Sequence, residues 1–106
     1  MNIGIIGRGN QAKRIVRILK KKKINLIYYH YKKLKNYTNK LSDLNKCDCI
    51  FILSPTFSHH DYLKKLNKYR GYIFLEKPGA STLKEVSFLK KILNKKKLYI
   101  NYNYIF

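Results

Sequence analysis

Acidic residues are the scarcest feature of this chain: 5 Asp and Glu stand against 24 Lys and Arg in 106 residues, a formal charge of +19. Such an excess points first to nucleic acid or an anionic membrane surface. Here, however, the surplus is spread through the chain together with many Asn, Ile, Tyr and Phe, as a genome of biased composition would spread it, and no nucleic-acid-binding motif accompanies it. Specific nucleic-acid recognition is therefore not expected, whereas non-specific adhesion to polyanions at low salt is. Long apolar runs are absent too. None approaches the roughly 18 residues that cross a bilayer, which argues against a membrane partner. The opening residues read as a glycine-punctuated strand rather than the charged and then apolar start of a secretory signal. Cysteine is limited to Cys47 and Cys49. As alternate residues of one strand their side chains leave in parallel, which disfavours a strain-free disulfide, so free thiols in a reducing cytoplasm are expected. Their C-x-C spacing with His59 and His60 matches no standard ligand pattern, so no metal site is expected. Repeats and long linkers are also missing, and the length suits one domain spanning residues 1–106 around a single core.

What is present is organised by glycine and by apolar periodicity. An apolar run from Ile3 to Ile6 leads into Gly7-Arg8-Gly9-Asn10-Gln11-Ala12 and then a helical stretch. Strand, glycine turn and helix start follow one another in the order of the dinucleotide fingerprint. Its first glycine makes the tight turn and its second lets backbone amides approach a pyrophosphate. The third position needs only a small side chain, here Ala12, for close helix–sheet packing. A helix starting near Asn10 aims free N–H groups and its positive dipole end at such phosphates. Ala12, Ile15, Val16 and Leu19 give this helix one apolar face, and Lys20 to Lys23 place cations at its end.

A second strand is predicted from Ile24 to His30, followed by a polar stretch, Lys32 to Lys40, and a short helix near Leu41 to Asn45. Cys49 to Leu53 reads as a strand buried on both faces, ended by Ser54-Pro55-Thr56. Ser58 and Asp61 fit a capping box, which predicts a helix from about His59 to Tyr69, with Leu63 and Leu66 inward and Gly71 closing it. The next strand is Tyr72 to Leu75, leading into Glu76-Lys77-Pro78-Gly79. Thr82 and Glu85 form another capping box, opening a helix with Leu83, Val86, Leu89 and Leu93 inward, and a last strand runs from Leu98 to Tyr102. Strands alternating with helices predict an α/β fold: an open parallel sheet of Rossmann type with about five strands and helices on both faces. Ligands of such sheets bind beyond the carboxyl ends of the strands, where the glycine turn, Ser54 to Thr56 and Glu76 to Pro78 all fall.

Four segments together resemble the N-terminal domain of the Gfo/Idh/MocA oxidoreductases: IGIIGRGNQA at residues 3–12, S-P-T-x-x-H from Ser54 to His59, E-K-P from Glu76 to Pro78, and N-Y-x-F ending at Phe106. The resemblance implies a nicotinamide dinucleotide across Gly7, Arg8, Gly9, Asn10, Gln11 and Ala12. It puts Ser54, Pro55 and Thr56 beside the ribose and phosphates, and His59 and Glu76 near the cofactor. It implies that Lys77 sits by the nicotinamide and the substrate hydroxyl, as orienting group or proton acceptor. Pro78 restricts the Lys77 backbone to extended conformations. For His59 a purely hydrogen-bonding role at a helix start is the competing reading, and His60 reads as surface.

The sequence departs from the family at the end of the second strand. Where members that bind NAD usually carry a carboxylate for the ribose hydroxyls, this chain has Tyr28-Tyr29-His30-Tyr31-Lys32-Lys33. A cationic tip suits the 2′-phosphate of NADP, with Lys32 or Lys33 pairing it and His30 or Tyr31 against the adenine. The expectation is an NAD(P)-binding domain with a weak preference for NADP, the cofactor half for hydride transfer to or from a sugar or polyol. The family's larger C-terminal substrate domain is expected to be absent, and activity would then need a partner domain or chain. The alternative is a stand-alone nucleotide-binding or regulatory module without turnover. With the substrate domain absent, Tyr102, Tyr104 and Phe106 at the C-terminal edge are expected to expose an apolar patch and favour self-association.

Overall fold

A computed structural model describes residues 1–76, 82–93 and 97–101. Five strands, β1 (Asn2–Ile6), β2 (Asn25–Tyr29), β3 (Cys49–Ile52), β4 (Tyr72–Glu76) and β5 (Leu98–Asn101), form one sheet in the order β2-β1-β3-β4-β5. Every pairing is parallel, with Ile3 opposite Leu26 and Cys49, Ile50 opposite Ile73, and Leu75 opposite Ile100. Helices α1 (Asn10–Leu19), α2 (His59–Lys65) and α3 (Leu83–Leu93) cover it. The chain leaves β1 toward β2 in one direction and adds every later strand in the other. Right-handed crossovers must therefore put α1 on one face and the later helices on the opposite face.

Side-chain alternation follows this division. Ile3, Ile5, Cys49 and Leu53 pack with Ala12, Ile15, Val16 and Leu19 under α1. On the opposite face Ile6, Ile50, Ile52, Ile73 and Leu75 meet Leu44, Leu63, Leu66 and Leu89. The continuous apolar run of β3 is thus explained: successive residues fill two cores. On the α1 face, partner residues of β3, β4 and β5 stack their rings, Phe51 on Phe74 at 4.9 Å and Phe74 on Tyr99 at 5.3 Å.

Several elements differ from the expectations. The predicted helix at Leu41–Asn45 is a 3₁₀ helix, Leu41–Lys46, which seats Leu44 fully inside. A 3₁₀ turn at Thr56–Ser58 precedes α2, and α2 ends at Lys65 rather than Tyr69, so Gly71 does not cap it. The Ser58–Asp61 capping box does not form. The Ser58 hydroxyl instead donates to the Pro55 carbonyl, 2.6 Å, and lies 2.6 Å from the Ser54 hydroxyl, drawn there by the tight turn after the proline. At α3 the cap does form, the Glu85 N–H donating to Thr82 Oγ1 at 3.2 Å. Yet Leu83 is 87% and Val86 37% exposed, while Leu89 and the half-buried Phe88 face the core. The side chain of Leu93, and residues 102–106 with the expected aromatic edge, lie outside the described residues. His60, expected at the surface, is half-buried with its ring 4.6 Å from that of Phe88.

Candidate functional site

The site is built at the carboxyl ends of β1 and β3, where the sheet order reverses direction. Gly7 turns the chain out of β1 with φ of 126°, and a Cβ there would lie 2.6 Å from the Leu53 carbonyl carbon and 2.7 Å from the Ser54 nitrogen. Only glycine accommodates both the dihedral and the close approach. Gly9 differs: it precedes α1 with ordinary extended dihedrals, and a Cβ there would meet nothing within 4 Å. Its bare backbone therefore faces open space. The first turn of α1 has no side-chain cap and no acidic residue, leaving its N–H groups and positive dipole end directed outward. An open cradle and a first helical turn with uncapped amides and no acidic residue of its own fit a diphosphate.

A crevice of about 490 Å³ opens from this turn. It is lined by Gly7, Arg8 and Gly9 of the turn, by Tyr29, His30 and Tyr31 at the end of β2, by Ser54, Pro55, Phe57 and Ser58 after β3, and by Tyr62 of α2. None of these is acidic. Burial pushes the Tyr29 and Tyr62 phenols up from their ordinary value, so both stay neutral at physiological pH, with their rings edge to face at 5.9 Å. At the β2 end His30 stacks on Tyr31 at 4.6 Å, its Nδ1 accepting from the Lys32 N–H at 3.1 Å, and Lys32 Nζ lies 5.6 Å from the Tyr31 ring centre.

The remaining predicted residues hold this frame or stand apart from it. Ala12 is buried where α1 meets the sheet, and Asn10 is exposed at the helix start. The Gln11 amide donates to Glu76 Oε2 at 3.3 Å, tying the glycine turn to the end of β4. Glu76 itself lines a separate cavity of about 240 Å³ with Ile15, Phe74 and Tyr99. Thr56 starts the 3₁₀ turn. His59 is 1% exposed and its Nε2–H donates to the Ser54 carbonyl at 2.8 Å, which places it behind the crevice wall, fixing the Ser54-Pro55 turn. Lys77 lies outside the described residues. Phe57, 74% exposed beside the crevice, was not anticipated; a large ring within a polar turn is the signal that could have found it. Among the described residues no group of His, Cys, Asp and Glu could hold a metal ion, and no helix is long and apolar enough to cross a membrane. Cys47 and Cys49 are free and buried.

A parallel sheet of this order, with a glycine turn opening a helix at its switch point, defines a dinucleotide-binding domain of Rossmann type. The chain belongs to the Gfo/Idh/MocA family: residues 21–104 match the profile of the oxidoreductase family with an NAD-binding Rossmann fold. That match starts beyond the glycine turn, whose geometry stands on its own. Similar solved structures include the dehydrogenase MviM from Clostridium difficile, at 27% identity and TM-score 0.76 over 94% of this chain and 38% of that one. The WlbA dehydrogenase from Chromobacterium violaceum, in complex with NADH and UDP-GlcNAcA, matches at 18% identity and TM-score 0.77 over 95% of this chain and 34% of its own. An apo scyllo-inositol dehydrogenase from Lactobacillus casei matches at 19% and 0.74, over 95% and 36%. The chain thus spans about a third of their length. No curated protein matches it significantly in sequence.

Proposed function

We propose that this domain binds a nicotinamide dinucleotide in the crevice at the glycine turn, with NADP preferred, and forms the cofactor half of a sugar or polyol oxidoreductase. The carrying observation is the bare, unobstructed Gly9 beside the uncapped α1 terminus, at the head of a crevice that no carboxylate lines. In this reading Gly7, Arg8, Gly9 and the amides of Asn10, Gln11 and Ala12 surround the diphosphate. Ser54, Pro55 and Thr56 flank the ribose, and His59 holds that turn from behind. Where an NAD site needs an acceptor for two ribose hydroxyls, this one offers Arg8 and Lys32 with aromatic faces, which suits a 2′-phosphate.

The nicotinamide ring would supply the hydride chemistry. Lys77, next in the chain to Glu76, is proposed to orient the substrate hydroxyl or take its proton, with any further substrate wall coming from another domain or chain. That proteins of the same fold include a scyllo-inositol dehydrogenase and a dehydrogenase in complex with NADH and UDP-GlcNAcA supports the substrate class. Titration with NADPH and NADH, followed by tyrosine fluorescence or calorimetry, tests the reading. Saturable binding of both, tighter for NADPH, is expected; no binding at millimolar dinucleotide would remove it.

A further inference from the structure

The segment after β2 does something its polar composition does not announce. Beyond Lys32 the chain turns at Asn36, whose φ of 68° is a left-handed conformation that asparagine tolerates. It then returns alongside the strand it has just left. The Thr38 N–H donates to the Tyr28 carbonyl at 2.8 Å and the His30 N–H to the Thr38 carbonyl at 2.9 Å, forming a parallel bridge between Tyr29 and Thr38. The Thr38 hydroxyl donates to the Asp43 carboxylate and accepts the Lys40 N–H at 3.2 Å, so the return is anchored on both sides.

This return delivers Tyr37 to the β2 tip. Its half-buried ring lies 5.6 Å from that of Tyr28 and edge-on to His30 at 6.3 Å. The guanidinium of Arg8, an exposed side chain from the glycine turn, sits 5.7 Å from the centre of the same ring. A solvent-exposed arginine ordinarily samples many rotamers, and an aromatic face held by a strand bridge gives it one preferred direction. That direction spans the gap between the diphosphate turn and the β2 tip, where the adenosine ribose of a bound dinucleotide would carry its 2′ substituent.

Resting on the reading that the crevice binds NADP, we infer that Arg8 is the group that recognises the 2′-phosphate and that Tyr37 is a positioning residue holding its guanidinium there. A planar fork of N–H donors matches a phosphate better than the single ammonium of Lys32, which lies over Tyr31 and farther along the loop. Tyr37 does not line the crevice; it touches the lining through Arg8 and, edge-on, His30.

The test compares dissociation constants for NADPH and NADH in wild type, Arg8→Gln, Lys32→Gln, Tyr37→Leu and Tyr37→Phe, with circular dichroism to establish that each is folded. Arg8→Gln is expected to reduce the preference for NADPH by roughly tenfold or more, as loss of a charge-assisted contact would. Lys32→Gln should reduce it by less. Tyr37→Leu should reduce it about three- to tenfold while NADH affinity stays within about threefold, and Tyr37→Phe, which keeps the ring, should retain it. A fold defect in Tyr37→Leu would weaken both dinucleotides together, and the Arg8→Gln and Tyr37→Phe results then decide. If wild type binds NADH as tightly as NADPH, the NADP reading fails and takes this inference with it. If wild type prefers NADPH but Lys32→Gln abolishes the preference while Arg8→Gln keeps it, the reading stands and the role of Arg8 is overturned. If Tyr37→Leu folds and keeps the full preference, the positioning role of Tyr37 is overturned alone.

Discussion

Gly7 and Gly9 stand two places apart and are glycine for different reasons. At Gly7 the backbone dihedral and the contact with Leu53 and Ser54 both exclude a side chain, so Gly7→Ala should cost about 2–4 kcal/mol of folding stability. At Gly9 a methyl group meets only open space, so Gly9→Ala should leave the denaturation midpoint nearly unchanged and instead weaken dinucleotide binding. A large loss of stability at Gly9 would show that the protein fold, and not a ligand, needs that glycine. The buried thiols make a second prediction. Burial, with smaller contributions from the neighbouring Cys47 and Asp48, pushes the Cys49 thiol from 9.0 up to about 11. Because the folded state keeps a proton that the unfolded state releases, this stabilisation is complete below about pH 9 and is lost as pH rises toward 11. Tyr69, raised by burial and donating to the Cys47 carbonyl at 2.7 Å, acts in the same direction. Urea midpoints should fall between pH 8 and pH 10.5, and fall less in Cys49→Ala; equal falls in the two proteins would exclude the thiol as a cause.

At the scale of elements, local signals succeeded where the backbone alone decides and failed where neighbours compete. Thr82 caps α3 as its spacing with Glu85 suggests, and Thr82→Ala should lower stability by about 1 kcal/mol, read from chemical denaturation. Ser58 has the same spacing before α2, but the preceding proline turn places the Pro55 carbonyl and the Ser54 hydroxyl within its reach, and they win its hydrogen bonds. The apolar face of α3 was legible as a stripe, not in its direction: rotation of the helix on the sheet buries Leu89 and turns Leu83 outward. Lys32 to Lys40 reads only as a polar stretch because Leu34 and Tyr37 are too few to give a periodicity. Only pairing of Thr38 with Tyr28 and His30 reveals where Tyr37 goes.

At the scale of the molecule the charge of +19 is a self-repulsion that the fold must overcome. Thermal midpoints should therefore rise as sodium chloride increases from low concentration to about 0.2 M, where the screening length falls below roughly 10 Å. A midpoint indifferent to salt would mean that the cations are too dispersed to matter. The strand-and-helix alternation, the parallel sheet and the position of the glycine turn were all readable from the chain, because apolar periodicity, a glycine with no tolerable substitute and crossover handedness are local or topological constraints. The absence of a carboxylate at the β2 tip was readable in the same way. That the Arg8 guanidinium meets the Tyr37 ring beside that tip was not. Arg8 and Tyr37 are far apart in sequence, and their meeting depends on a bridge between β2 and a segment with no strand character of its own. Likewise, the sequence leaves His59 between cofactor contact and a hydrogen-bonding role at a helix start; its bond to the Ser54 carbonyl follows from where α2 comes to rest on the sheet. Patterns along the chain specify which elements form, whereas the partners of individual side chains are chosen by packing between elements distant in sequence.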